Sequence, residues 1–151
     1  MAVARSTLMY EPLHEDHVAH MMPIERDAYP EPWTERMFRD EIQNARSHFF
    51  VARLEGELAG YGGFWLVLDE AHITSVTIKN DSRSQGYGRM LFEHLLDAAR
   101  TAGANTATLE VRESNTPARN LYTSMGFRRV GIRKGYYPKT GEDAIVMSSE
   151  L

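Results

Sequence analysis

The segment Arg83-Ser84-Gln85-Gly86-Tyr87-Gly88 lies between an apolar, strand-like run and a stretch with helical periodicity. Its two glycines let the backbone come close to a ligand, and the free N–H groups and positive dipole end of the following helix face the same place. Such a turn can hold a phosphate, so the pattern points to a phosphate-bearing cofactor, although a glycine motif this short also fits an ordinary strand-to-helix turn. His14, His17 and His20 could by type bind a metal ion. No carboxylate or cysteine cluster completes a site around them, so they read as a solvated or partly packed helix face and no metal is expected. The chain contains no cysteine, which excludes disulfides, thiolate metal sites and a cysteine nucleophile and suits a reducing compartment.

The glycine turn needs a strand before it and a helix after it, and the periodicity supplies both. Ala71 to Ile78 is rich in β-formers. Tyr87, Met90, Leu91, His94, Leu95, Ala98 and Ala99 follow an i, i+3, i+4 pattern that Gly103 ends. Upstream, Ser6 to Tyr10 reads as a strand ending at Glu11-Pro12. A helix from His14 to Ala28 should be broken or kinked at Pro23, and Thr34 should cap a second helix through Met37, Phe38, Glu41 and Ile42. Phe49 to Leu54 and Glu57 to Leu68 are further strands, joined by Glu55-Gly56, with Leu68-Asp69-Glu70 turning into the next. Downstream come a strand over Thr106 to Val111, a helix over Asn115 to Met125, and strands over Phe127 to Arg133 and Asp143 to Ser149. This order specifies an α+β fold, a mixed sheet with helices packed on it.

At 151 residues, with 42% hydrophobic and 25% charged residues, the chain is expected to form a single domain spanning 1–151. The longest apolar stretch, Phe64 to Leu68, is far too short for a membrane span, and no basic segment followed by an apolar run opens the chain. A cytoplasmic protein is expected. The net charge of −4 gives no general attraction for nucleic acid but mildly favours a basic partner such as a ribosomal protein.

These motifs resemble the GNAT superfamily of N-acetyltransferases, in which an Arg/Gln-x-x-Gly-x-Gly/Ala turn after the fourth strand binds the pyrophosphate of acetyl-CoA; here the turn is Arg83 to Gly88. The segments Leu109 to Asn115, Ala118, Leu121-Tyr122 and Gly126-Phe127 look like the RimI group of protein N-terminal acetyltransferases. So do Pro32-Trp33, Leu68 to Ala71, Tyr136-Tyr137-Pro138, and Glu142 to Ala144 with Met147. The lead-in Lys79-Asn80-Asp81-Ser82 lacks the proline many relatives carry there, and Ser84 stands where they have Gly or Arg. The resemblance implies a mostly antiparallel, mixed seven-stranded sheet splayed between the fourth and fifth strands, with four helices.

Acetyl transfer from a thioester to an amine needs a neutral amine, an oxyanion stabiliser and a proton for the departing thiolate. By the same resemblance Glu110 is the general base, acting through a water, and Tyr122 is the acid that protonates the sulfur. Val76, Thr77 and Ile78 would bind the cofactor, with a backbone N–H near Val76 as the oxyanion donor. Arg83, Ser84, Gln85, Gly86, Tyr87, Gly88 and Arg89 would hold the pyrophosphate, and Asn115 the pantetheine arm. Tyr29, Trp33, Tyr136 and Tyr137 would flank the peptide entrance. The implied substrate is an α-amine, such as the amino-terminal alanine of a small-subunit ribosomal protein. With an α-amine pKa near ~8 and a lysine near ~10.4, neutralising lysine costs roughly 3 kcal/mol more.

Residue patterns alone leave other readings open. Glu110 could be a solvated carboxylate at a strand end, Tyr122 has the spacing of a core residue, and Asn115 could cap its helix ahead of Pro117. Trp33, Tyr136 and Tyr137 could cover core edges, and Arg112, Glu113 and Arg119 read as a mixed-charge helix entrance. Alternative functions are an acetyltransferase for lysine side chains or small amines and a non-catalytic CoA-binding module. A monomer or weak homodimer is expected.

Overall fold

Side-chain alternation sets the layering of the protein, whose computed structural model describes residues 7–151. In β2 (Ser47–Leu54) Phe49 and Val51 face one way and Phe50 and Ala52 the other. With Tyr61 of β3 (Glu57–Val67), the first pair packs under Val18, Met21, Met22 and Ile24 of α1 (Glu15–Ala28) and Phe38 of α2 (Glu35–Gln43). On the opposite face Ala52, Phe64 and Ile73 of β4 (Glu70–Ile78) meet Leu91, Phe92, Leu95 and Leu96 of α3 (Tyr87–Thr101). Each such side chain contributes roughly 1.5–3 kcal/mol by leaving water. The sheet therefore has helices on both faces.

The remaining elements are β1 (Met9–Pro12), β5 (Thr106–Arg112), α4 (Thr116–Ser124), β6 (Arg128–Tyr137) and β7 (Glu142–Glu150). The seven strands run in the order β1-β2-β3-β4-β5-β7-β6, and only the β4–β5 pair is parallel. A parallel pair needs a crossover, which α3 supplies. β4 and β5 pair only at Glu70–Thr106, Ala71–Ala107 and His72–Thr108. Two residues further the ladder to β3 skips Thr74, since Ile73 faces Phe64 while Ser75 faces Gly63. This bulge bends β4 away, and β5 continues instead alongside β7 through Arg112. The far half of β4 is thus left open toward β5, which is the splay the resemblance implied.

Several expectations need correction. Helix α1 is continuous through Pro23. The ring lies on the exposed side, where water can satisfy the carbonyl of exposed Ala19, and buried Met21, Met22, Ile24 and Glu25 hold the turns on both sides. A short 3-10 turn, Asn80–Ser82, occupies what read as a plain lead-in to the glycine turn. Strand β6 extends past Arg133 to Tyr137. Ser6, the expected start of the first strand, lies outside the described residues, and β1 begins at Met9. His14 caps α1, its Nδ1 accepting from Asp16 N while His14 N donates to His17 Nδ1 at 2.8 Å. Thr34 caps α2 through Met37 N. No helix among the described residues is long and apolar enough to cross a membrane.

Candidate active site

The glycine turn is built around two left-handed residues, Ser84 at φ 63° and Gly86 at φ 86°, with Gly86 at the N-cap of α3. The backbone N–H groups of Ser84, Gln85, Gly86, Tyr87, Gly88 and Arg89 have no acceptor among the described residues. They form a run of donors beside the positive end of a 15-residue helix, which suits a phosphate-bearing group. At Gly88 an added Cβ would meet only Leu121 Cδ2 at 3.7 Å and Ile78 Cγ1 at 4.0 Å, so protein packing does not demand glycine there and its bare surface stays open to a ligand. The side chains do other work. Arg83 Nε donates to Ile78 O at 2.8 Å and its guanidinium reaches Asp27, locking the turn onto β4 and α1. Arg89 donates to Ser124 Oγ at 2.6 Å, and Tyr87 is buried in the core.

The open edge of β4 continues this surface. Lys79 N–H donates to Ala59 O, so alternate positions at this end of β4 face β3. Val76 O and Ile78 O instead accept from Tyr29 Oη at 3.3 Å and from Arg83 Nε, and the N–H groups of Val76 and Ile78 point the same way, into the splay. Tyr29 Oη also shares a 2.7 Å hydrogen bond with Thr77 Oγ1. Burial, only partly offset by that bond, pushes the Tyr29 phenol up to about 12. Asn115 caps α4, its Oδ1 accepting from Ala118 N at 3.3 Å.

Across the gap stands Glu110, whose side chain is only 10% exposed. His72 Nε2 lies 2.6 Å from its Oε2, and Arg133 Nη2 lies 3.6 Å from its Oε1. Burial pushes the carboxyl up, but the His72 hydrogen bond and the charges of His72 and Arg133 outweigh it and hold the group below the ordinary carboxylate value. Tyr122 packs its ring on Phe92 and Phe127. Burial, then the nearby phenols of Tyr29 and Tyr137, raises its hydroxyl well above the usual tyrosine range. That hydroxyl has no hydrogen-bond partner among the described residues. The only fully buried side-chain polar atom there without one is His94 Nε2, so the Tyr122 oxygen has an open side. Tyr137 is pushed up to about 12 chiefly by burial; the charge of Arg112 opposes this, while Tyr136, Glu110 and Tyr29 are close enough to add to it.

The structure thus gathers Glu110, Tyr122, Tyr29, Tyr136 and Tyr137 at the splay, but not Trp33. The indole of Trp33 packs against Phe38 at 5.0 Å and Phe49 at 6.1 Å in the α1–α2 core, and the backbone N–H of Trp33 donates to buried Glu25. Arg112 is not part of a helix entrance. Its guanidinium lies 3.8 Å over the Tyr137 ring and 3.1 Å from Glu142, while Arg119 does bind the entrance through Glu113 O. Two groups escaped sequence reasoning. His72 sits in a strand whose register with β5 no local pattern reveals. Glu25, four residues after Met21 on the apolar face of α1, was the visible signal of a buried carboxylate; it accepts from Tyr61 Oη at 2.6 Å and Trp33 N at 2.9 Å.

A family model described as the acetyltransferase (GNAT) family matches residues 18–127. The ribosomal protein bS18-alanine N-acetyltransferase of Escherichia coli is 41% identical over 127 residues, covering 83% of this chain and 85% of that protein. The N-alpha-acetyltransferase RimI of Mycobacterium tuberculosis is 36% identical over 121 residues, 78% of this chain and 75% of its own. The crystal structure of the Escherichia coli ribosomal-protein-S18-alanine N-acetyltransferase superposes with a TM-score of 0.88 at 36% identity, covering 96% of this chain and 94% of that one. With its splayed sheet, its row of unpaired N–H donors and these matches over most of its length, the chain belongs to the acetyltransferase (GNAT) family.

Proposed function

We propose that the protein transfers the acetyl group of acetyl-CoA to the free α-amine of a protein, the amino-terminal alanine of a small-subunit ribosomal protein being the substrate its relatives' names indicate. The observation that carries this reading is the opening of β4 from β5 beyond His72, contiguous with the unpaired donors of the glycine turn, with Glu110 on β5 bonded to His72 at its edge and Tyr122 close to Tyr29, which bonds Val76 O in the opening. Bound acetyl-CoA supplies an activated thioester. Backbone N–H groups from Ser84 to Arg89 hold its diphosphate, and the amide of Asn115, at the start of α4, holds the pantetheine arm. The Val76 N–H faces the place where negative charge grows on the carbonyl oxygen. Glu110 draws the proton from the ammonium through a water, and Tyr122, protonated across the neutral range, gives one to the departing sulfur. Transfer is direct, through a ternary complex.

Preference for a chain end is supported by the entrance. Glu31, in the loop between α1 and α2, accepts from Lys139 N in the turn between β6 and β7 and lies 3.8 Å from Arg112, tying the two loops together. A mouth bridged in this way favours a free chain end over a lysine within a folded chain. The test is thiol release from acetyl-CoA with an alanine-initiated peptide, the same peptide blocked at its α-amine, and lysine-only and polyamine acceptors. Turnover of the free peptide alone is expected. Equal turnover of the blocked peptide or the polyamine would remove the assignment to N-termini, and no turnover with any acceptor despite tight acetyl-CoA binding would leave a binding module.

A further inference from the structure

We infer that His72 is a positioning residue for the reaction: by holding Oε2 of Glu110 it leaves Oε1, with Arg133 Nη2 3.6 Å away, as the oxygen that takes the proton of the acceptor amine or its water, and its charge state sets how strongly that oxygen takes it. This rests on the reading of Glu110 as the base.

The register carries the argument. His72 and Thr108 form the last paired rung of β4 and β5, and alternation places Glu110, two residues beyond Thr108, on the same face as both. The splay begins immediately afterwards, so His72 is the last β4 side chain that the paired strands place beside β5. Its Nε2 lies 2.6 Å from Glu110 Oε2, at the short end even for a charge-assisted bond. At 10% exposure the carboxylate is nearly sealed, whereas His72, at 34%, reaches solvent. Solvent protons therefore reach the pair at the imidazole.

The charged groups facing His72 are Glu110 from β5, Arg133 from β6 and Glu70 of its own strand. The uncharged Trp65 lies opposite on β3. The hydrogen bond its N–H donates to Glu110 lifts the imidazole above its ordinary value against the effect of burial. While His72 is neutral, its N–H fixes Oε2 and leaves the carboxylate comparatively basic. Once His72 is an imidazolium, a full positive charge lies against the carboxylate and Oε1 becomes a poorer proton acceptor. In the step itself the ammonium N–H bond breaks and its proton passes to Oε1, directly or through the water. The freed electron pair on nitrogen forms the N–C bond to the acetyl carbon, the C–S bond breaks with its pair going to sulfur, and Tyr122 protonates that thiolate; after release Glu110 returns its proton to solvent while Tyr122 takes one back. The imidazole proton does not enter this balance.

Two variants and a control test the proposal. His72→Ala should lower kcat roughly 10-fold or more while leaving the acetyl-CoA KM unchanged. His72→Gln keeps an N–H donor but cannot titrate, so it should recover part of kcat, and the ratio of its kcat to that of the wild type should rise as pH falls from about 8 to about 5.5. The ratio cancels the titration of the peptide amine, which is common to both proteins. A wild-type kcat in His72→Ala, or a ratio flat with pH in His72→Gln, would overturn the role of His72. Glu110→Gln separates the two failures. If it is inactive while His72→Ala is not impaired, only the present inference falls; if it is fully active, the assignment of the base falls, and this inference with it.

Discussion

Replacing Tyr122 by Phe separates chemistry from packing, because the two readings of this residue demand opposite outcomes. The ring lies against Phe92 and Phe127, contacts that Phe would keep. The hydroxyl has no partner among the described residues, and burial with the neighbouring Tyr29 and Tyr137 keeps it protonated well beyond neutral pH. Removing a general acid costs about 10²- to 10⁴-fold in kcat, or about 2.7–5.5 kcal/mol of barrier at 1.36 kcal/mol per decade. Removing an unpaired hydroxyl with one open side should change stability by about 0 to 1 kcal/mol in the favourable direction, a rise in Tm of up to about 4 °C for a chain of this size. Thiol release with an alanine-initiated peptide, a thermal melt and an acetyl-CoA titration on the same preparation supply the three numbers. A rate within about threefold of wild type would refute the role as acid. A loss of activity accompanied by a fall in Tm of more than about 4 °C would show instead that the hydroxyl holds the core together.

Gly88→Ala should leave the melting temperature unchanged or raise it, since Ala favours a helix by about 0.5–1 kcal/mol over Gly and its methyl would meet only ordinary contacts. Acetyl-CoA binding by calorimetry should nevertheless weaken at least about 10-fold, and an unchanged affinity would move the ligand off this surface. Glu25→Ala strands the Tyr61 hydroxyl and the Trp33 N–H, so urea unfolding should show a loss of about 2–5 kcal/mol; a loss below about 1 kcal/mol would mean the pair finds water instead. His94, stacked on Tyr10 and edge-on to Phe50, has its imidazole pushed down by burial, against a smaller opposing effect of Asp97. The unfolded chain then binds the proton more readily, so stability is full above about pH 6.5 and declines as pH falls through the lowered folded value. His94→Phe should abolish that decline over the same range, and identical acid profiles of the two proteins would exclude the mechanism.

The order of strands and helices, the cap at Thr34 and the glycine turn before α3 were legible in the sequence because each depends on residues within a few positions of one another. The spacing of Leu91, Leu95 and Ala99 declares a helix whatever it packs against, and a left-handed N-cap selects glycine locally. The same local logic failed at Pro23, where burial on both sides outweighed one missing hydrogen bond; at Trp33, which the family resemblance put at the entrance and residue patterns alone also allowed at a core edge, the ring packs in the α1–α2 core.

Glu110 and Tyr122 were marked by family resemblance, but what surrounds them came from tertiary structure alone. His72 meets Glu110 across 38 residues of chain because a parallel pair holds three rungs and then parts at a bulge, and a shift of one residue in that register would turn the imidazole to the other face. Glu25 and Tyr61, 36 residues apart, likewise meet only when α1 docks on β3. Local sequence chooses the elements through backbone and side-chain preferences acting over one or two turns. The charge state of the site depends on distances between elements, which only the packed sheet determines.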